Sequence, residues 1–192
     1  MINKIPNILT FFRALAAPFF FVLFLSNNRD LILLAAIIFV LAAITDFFDG
    51  YLARKMNVTS EWGAFADPLA DKFLTTSVFI AFVIIKIVPL WMVAIILLRD
   101  FSTTFLRLVK ISNRKIRTSL TAKFKTSLQM IFIFVILFLY ISGLFLKGSI
   151  AITLRNIIFS DYVYYSMLLI TIISLVSLIE YVYQLLIPKT DA

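Results

Sequence analysis

Residues 45–72 read TDFFDGYLARKMNVTSEWGAFADPLADK. This stretch places Asp46, Asp49, Asp67 and Asp71 close together in a chain that is 62% hydrophobic. A carboxylate inside a lipid bilayer is costly unless it is paired or binds a cation. Four such carboxylates repel one another, and the stretch supplies too few basic residues to neutralise them. The pattern therefore indicates a divalent metal ion, which prefers hard oxygen ligands.

The composition predicts an all-α polytopic membrane protein. Mean hydropathy is +1.05, and the apolar residues come in long runs that suit membrane helices. The 192 residues leave room for about six spans of about 20 residues each and for no separate soluble domain. We therefore expect a single membrane domain over residues 1–192. The chain has no cysteine and no histidine, which excludes disulfides, thiolate chemistry and imidazole catalysis.

The apolar runs also predict the boundaries of the helices. We expect a juxtamembrane amphipathic segment over residues 1–13, opened by Pro6 and closed by Arg13, and then six transmembrane helices. The predicted spans cover residues 14–26, 31–54, 60–88, 90–111, 120–146 and 162–187.

The distribution of basic residues predicts the orientation of these spans. Four of the 18 Lys and Arg residues, Arg29, Lys86, Lys147 and Arg155, fall on one predicted side, and the other 14 fall on the side of the termini. Because cytoplasmic loops are enriched in Lys and Arg, both termini are expected in the cytoplasm. The net charge of +8 is then explained by this asymmetry and by contact with anionic lipids, so we expect no nucleic-acid partner.

Helical spacing divides the aspartate stretch into two stripes. Residues three or four apart share one face of a helix. The first stripe consists of Asp46, Asp49, Gly50 and Ala53, with Arg54 at the end of the helix. The second consists of Gly63, Asp67 and Asp71. We expect a turn of about six residues to bring the stripes together around a water-accessible pocket.

Each of these residues alone has a simpler interpretation. A single membrane aspartate often makes an interhelical hydrogen bond, small residues often mark helix packing, and an arginine at a helix end often anchors the interface. The combination of four acids with small residues in register favours a metal site.

The motif D-x2-D-G-x2-A-R-x8-G-x3-D-x3-D, which runs from Asp46 to Asp71, resembles the signature of the CDP-alcohol phosphatidyltransferase family. The resemblance implies that two divalent ions are held by Asp46, Asp49, Asp67 and Asp71. These ions are usually Mg²⁺, and Mn²⁺ can replace it. These ions would bind the pyrophosphate of CDP-diacylglycerol, and CMP would leave. It also implies that Asp71 is the catalytic general base. The CDP-lipid would be bound by Asp46, Asp49, Gly50, Ala53, Arg54, Gly63 and Asp67.

Further segments resemble bacterial phosphatidylglycerophosphate synthases, a branch of this family found in the inner membrane and commonly homodimeric. They are Pro6–Thr10 with Arg13 and Pro18, Arg99–Phe101 with Leu106–Arg107, and Lys123–Thr126 with Gln129. This resemblance implies glycerol 3-phosphate as the acceptor of the phosphatidyl group. Its phosphate would be bound by cations drawn from Arg99, Arg107, Lys123 and Lys125.

Two departures leave the acceptor open. Thr104-Phe105 stands where these synthases commonly have Ser-Gly, and Ala122-Lys123 stands where they often have Gly-Lys. Inositol phosphate is the main alternative acceptor, and snorkelling to the interface is the alternative role of the arginines. A different class, a divalent-cation transporter, predicts acids spread along a pore and often an internal repeat.

Overall fold

The protein is helical throughout the part that the structure describes. This computed structural model describes the backbone of residues 5–56, 61–108 and 120–186 and the side chains of residues 11–45, 69–106 and 120–184. The described residues form seven helices and no strand, which confirms the all-α prediction. The helices are α1 (Ile5–Phe24), α2 (Arg29–Met56), α3 (Glu61–Ile84), α4 (Leu90–Leu108), α5 (Leu120–Phe145), α6 (Ser149–Ile158) and α7 (Asp161–Leu186).

Local signals explain several helix ends. The side-chain oxygen of Asn28 accepts a hydrogen bond from the backbone N–H of Asp30 at 2.9 Å, which caps the start of α2. Helix α3 ends at Ile84, four residues before the predicted boundary, because Lys86 adopts a left-handed φ of 61°. Proline at position 89 then precedes the first residue of α4 and separates the two helices.

The N-terminal prediction was wrong in one respect. Instead of a juxtamembrane segment followed by a separate span, residues 5–24 form the single helix α1. Pro6 lies in its first turn, where the missing N–H has no intrahelical partner to lose. Helix α1 also continues through Pro18, as membrane helices tolerate. Residues 1–4 of the predicted segment lie outside the described residues.

A second difference concerns the segment between the last two predicted spans, which we expected to be a polar connection. It contains helix α6, whose start follows Gly148 at a φ of 72°. Ten residues of helix extend about 15 Å, which is too short to cross a bilayer. Helix α6 packs mainly against α5.

The helices group into two compact units, Met1–Ile85 and Lys86–Ala192. In the first unit, α1 packs against both α2 and α3. Phe20 of α1 lies 5.9 Å from Phe39 of α2, and Phe24 of α1 lies 6.1 Å from Phe82 of α3, measured between ring centroids. These rings are fully buried and fix the depth at which each helix meets α1.

In the second unit, α7 packs against α4 and α5. The residues of α7 that these helices cover recur every three or four positions, as in any helix with one buried face. Small hydroxyl side chains on this face let the helices approach closely. The buried residues are Val163, Met167, Ile170, Thr171, Ser174, Ser177 and Tyr181.

Two segments within the described residues are long and apolar enough to cross a membrane, Leu120–Phe145 and Ser149–Gln184. The second comprises α6 and α7. The outward face of α5 is apolar as well, because Ile131, Val135 and Phe138 are all exposed. Such surfaces suit a lipid environment better than water, so these helices fit a membrane protein.

Candidate functional site

Both halves of the aspartate motif are helical. Asp46, Asp49, Gly50, Ala53 and Arg54 belong to the last three turns of α2, and Gly63, Asp67 and Asp71 belong to the first three turns of α3. The spacings of three and four residues therefore have the helical meaning that the sequence predicted. Among these eight residues, only Asp71 has a side chain within the described set.

The connection between the two halves is short. Four residues, 57–60, separate Met56 from Glu61, whereas the sequence predicted a turn of about six. Five Cα-to-Cα steps span at most about 18 Å. Covalent geometry alone therefore keeps the end of α2 close to the start of α3.

Asp71 is accessible and sits beside a cation. Its side chain is 31% exposed, and its Oδ2 accepts a hydrogen bond from Lys72 Nζ at 3.2 Å. One turn later, the hydroxyl of Thr75 donates to the backbone carbonyl of Asp71 at 3.1 Å. The carboxylate is therefore held on a regular stretch of helix while remaining reachable by a substrate or an ion.

The donor chemistry fits a hard divalent cation. All four predicted ligands are carboxylates, and the chain contains no histidine or cysteine that would favour a softer metal. Within the described side chains there is no group of three or more candidate ligands, because Asp46, Asp49 and Asp67 lie outside that set.

A second charged cluster lies in the other unit and consists of Arg99, Asp100 and Lys125. Lys125 Nζ donates to both carboxylate oxygens of Asp100 at 2.7 Å. Arg99 Nη1 donates to Asp100 Oδ1 at 2.9 Å, and its Nη2 donates to the hydroxyl of Ser177. We call these three ionic residues the Asp100 cluster. It connects α4, α5 and α7, and all three side chains are buried.

Two cations, Arg99 and Lys125, contact the single carboxylate of Asp100. In addition, Arg99 Nε is buried and has no hydrogen-bond partner among the described residues. Buried charge is stable when it is neutralised and fully hydrogen-bonded. The cluster is therefore chemically suited to accept one more anionic group.

The structure brings together two of the four predicted acceptor residues and separates a third. Arg99 and Lys125 share Asp100, whereas the side chain of Lys123 is exposed and lies two residues from Lys125, on the other side of α5. Arg107 belongs to α4, but its side chain lies outside the described set. Phe105, which departs from the related synthases, is 63% exposed, whereas its neighbour Thr104 is buried.

Sequence reasoning missed the partner roles of two acids. The family resemblance includes Asp100 but assigns it no partner, although a carboxylate in an apolar helix needs a partner as much as the four motif aspartates do. Glu180 of α7 accepts a hydrogen bond from the hydroxyl of Thr121 in α5. No spacing rule predicts that contact, because the two residues lie 59 positions apart.

Comparison with known proteins identifies the family. The profile described as CDP-alcohol phosphatidyltransferase matches residues 3–160, a range that includes the aspartate motif and the Asp100 cluster. The chain belongs to the CDP-alcohol phosphatidyltransferase family. Membership in this phosphatidyltransferase family makes the chain an enzyme and confirms the resemblance seen in the motif.

Several members of this family are similar over most of the chain. A protein of Wigglesworthia glossinidia brevipalpis named CDP-diacylglycerol–glycerol-3-phosphate 3-phosphatidyltransferase is 39% identical over 70% of this chain and 76% of its own length. A Rickettsia typhi protein of the same name is 42% identical over 67% of this chain and 72% of its own. A Mycobacterium tuberculosis protein named probable phosphatidylglycerophosphate synthase is 38% identical over 68% of this chain and 64% of its own.

The Asp100 cluster generates a prediction about stability. Asp100→Asn should lower the free energy of unfolding by about 3–5 kcal/mol, because it leaves Arg99 and Lys125 buried without their carboxylate. In a chain of this size, such a loss lowers the thermal midpoint by at least about 6 °C. Thermal unfolding in detergent measures the midpoint. The exposed Asp30→Asn is the matched control and should change it little.

The double variant Asp100→Asn/Lys125→Met distinguishes charge from packing. Removing one of the orphaned cations should recover part of the lost stability. If the double variant is as unstable as the sum of its single variants, the ion pair does not stabilise this unit.

Proposed function

We propose that this chain transfers the phosphatidyl group of CDP-diacylglycerol to glycerol 3-phosphate and releases CMP, as a step of phospholipid biosynthesis. The observation that carries the proposal is the uninterrupted motif from Asp46 to Asp71 on two consecutive helices of a family member. The names and the 38–42% identities of the relatives support glycerol 3-phosphate as the acceptor.

The aspartates are proposed to hold two Mg²⁺ ions, for which Mn²⁺ can substitute. Asp46, Asp49, Asp67 and Asp71 supply the ligands, and their carboxylate chemistry supports this assignment. Bound ions of this kind neutralise charge on a transferring phosphoryl group and on its leaving group. Gly50, Ala53 and Gly63 leave room for the nucleotide because they lack bulky side chains, and Arg54 contacts its phosphates.

Asp71 is proposed to act also as the general base. It would accept the proton of the acceptor hydroxyl as that oxygen attacks the phosphorus atom, and CMP would depart with the electrons of the cleaved bond. The partial exposure of its carboxylate and the adjacent Lys72 ammonium support this role. Exposure provides access to the acceptor, and the hydrogen bond from Lys72 Nζ to Oδ2 orients the carboxylate.

The acceptor phosphate is proposed to be bound by Arg99 and Arg107, with Lys125 and Lys123 as further cations. The pairing of two cations with Asp100 and the buried Nε of Arg99 support Arg99 and Lys125 in this role. A phosphomonoester oxygen would be a charge-assisted acceptor for that Nε–H, and hydrogen bonds between ionised partners are strong.

The chain is proposed to cross the bacterial inner membrane six times, through α1, α2, α3, α4, α5 and α7, with both termini and the site in the cytoplasm. Helix α6 would lie at the opposite interface, which its length and its exposed isoleucines support. The family resemblance supports a homodimer. The 14-to-4 distribution of Lys and Arg supports the orientation.

The decisive experiment measures CMP release by the purified protein. With CDP-diacylglycerol and glycerol 3-phosphate, turnover should stop in EDTA and return with Mg²⁺ or Mn²⁺, because the carboxylates need the ions to bind the diphosphate. Inositol phosphate, glycerol and serine complete the acceptor panel. Faster turnover with inositol phosphate would assign the alternative acceptor, and full turnover in a metal-free preparation would contradict the two-ion site.

Two substitutions separate ligand from base. Asp67→Ala should abolish the binding of both Mn²⁺ and CDP-diacylglycerol, because it removes a ligand shared by the site. Asp71→Asn should lower turnover about 10²–10⁴-fold while CDP-diacylglycerol binding is largely retained. Single-turnover kinetics and a binding assay measure the two effects. Near-normal turnover of Asp71→Asn would remove the base assignment.

The acceptor site is tested through Arg107→Ala. The loss of a charge-assisted contact should lower kcat/KM for glycerol 3-phosphate by a factor that corresponds to about 1.5–3 kcal/mol of lost transition-state stabilisation. The KM for CDP-diacylglycerol should change little. Arg107→Lys should recover only part, because an ammonium cannot form the bidentate contact. Equal losses toward glycerol and glycerol 3-phosphate would make Arg107 a structural residue.

The orientation is tested with single cysteines, since the chain has none. In intact cells, a membrane-impermeant maleimide should label Lys147→Cys and leave Lys115→Cys unlabelled until the cells are opened. The reverse pattern would invert the proposed topology, and labelling of both before opening would contradict six crossings.

A further inference from the structure

Arg13 is a buried cation on α1, the helix that packs against both helices of the aspartate motif. It lies in α1 and is 2% exposed, and α1 packs against both α2 and α3. A guanidinium is seldom buried among apolar helices without a negative partner, because its desolvation is costly. The sequence analysis placed Arg13 at the boundary of an interfacial segment and in a family resemblance, and neither accounts for its burial.

The aromatic contacts give the register between α1 and α2. Phe20 and Phe39 meet at one depth, and the two helices are joined by only residues 25–28 and run in opposite directions. Arg13 precedes Phe20 by seven residues, and Asp46 follows Phe39 by seven. Seven residues make nearly two full turns and about 10.5 Å of rise. Arg13 and Asp46 therefore occupy corresponding positions, at the same depth and on the same faces as the two rings.

The register between α1 and α3 gives the same depth independently. Phe24 is the last residue of α1, and it meets Phe82 near the end of α3. The two helices pack along their lengths and so run in the same direction. Arg13 precedes Phe24 by 11 residues, and Asp71 precedes Phe82 by 11. Eleven residues make about three turns and about 16.5 Å of rise, so Asp71 also shares the depth of Arg13.

We propose that Arg13 is a positioning residue for the aspartate site, whose guanidinium offsets the repulsion among the carboxylates at the level of Asp46 and Asp71. The proposal rests on the metal site of the proposed function. It assigns to α1 a fixed positive charge in addition to Arg54 of the motif and Lys72, which are too few to neutralise the four carboxylates. Arg13 and the metal ions then neutralise the same carboxylates, and the loss of one makes the protein depend more on the other.

This competition predicts that the loss of Arg13 increases the stabilisation by Mn²⁺, which a purely structural role would not do. Without Arg13, the metal-free protein should be less stable, and Mn²⁺ should restore more stability than it does in the wild type. A residue that only fills space lowers the thermal midpoint equally with and without Mn²⁺. The quantity that distinguishes the two roles is therefore the rise in the midpoint on adding Mn²⁺.

The experiment compares Arg13→Gln, Arg13→Lys and two controls by thermal unfolding in detergent, in EDTA and in Mn²⁺, without substrate. Arg13→Gln should increase the Mn²⁺-induced rise by at least about 3 °C, and Arg13→Lys, which keeps the charge, should recover most of the metal-free stability. Phe20→Leu, a buried control on α1, should lower both midpoints equally. Arg29→Gln, an exposed cation of α2, should change neither. Electron paramagnetic resonance of free Mn²⁺ should show tighter binding by Arg13→Gln.

A rise equal to or smaller than that of the wild type, or weaker Mn²⁺ binding, would overturn the proposal. If Arg13→Gln does not fold in EDTA or Mn²⁺, the double variant Arg13→Gln/Asp46→Asn decides. It should fold, because it removes both charges, and its failure to fold would also overturn the proposal. These readouts do not need turnover. An inactive wild type with the expected midpoints would contradict only the proposed function, and an active wild type with unchanged midpoints would contradict only the role of Arg13.

Discussion

Ion pairs buried among apolar helices are the main constraint on how the helices of this protein pack, because an unpaired charge there is costly. Contacts between aliphatic side chains discriminate poorly between one helix arrangement and another when the surroundings are equally apolar. A buried ion pair discriminates strongly, because sliding or rotating one helix separates the charges. Asp100 illustrates this, since its two oxygens bind Lys125 of α5 while Arg99 reaches Ser177 of α7. The register of three helices thus depends on one carboxylate.

The first unit combines two kinds of constraint along α1. Toward its C-terminus, the rings of Phe20 and Phe24 set the depth of the neighbouring helices through shape, and the small buried Ala16 and Ala17 allow those helices to approach. Toward its N-terminus, the proposed contact between Arg13 and the aspartates would set the same depth through charge. Apolar packing and electrostatics therefore specify one arrangement, and this agreement between levels is characteristic of sequences that fold to a single structure.

The sequence was sufficient for features that depend on local patterns. The apolar runs predicted α2, α4, α5 and α7 with their starts within two residues, because a run long enough to cross a membrane has few alternatives to a helix. Helix α6 was not predicted, because a segment of ten residues is too short to be a membrane span and was interpreted as a connection.

Helical spacing predicts that Lys123 and Lys125 lie on opposite sides of α5. Which of the two lysines is buried depends on the position of Asp100, and this position depends on how α4 and α5 pack. The burial of Arg13 likewise depends on which face of α1 the neighbouring helices cover. The aspartate motif could be predicted from the sequence because its spacing is set within two consecutive helices and does not depend on packing.

The connection of four residues between α2 and α3 acts as a tether. It keeps each half of the aspartate motif at a high effective concentration relative to the other, so in the proposed metal site an ion bound by one pair of carboxylates would meet the second pair without a further loss of translational freedom. The ion affinity of that proposed site would then depend on linker length as well as on ligand chemistry. Lengthening residues 57–60 with a flexible insert would dilute one half against the other, and would weaken ion binding while leaving every ligand in place.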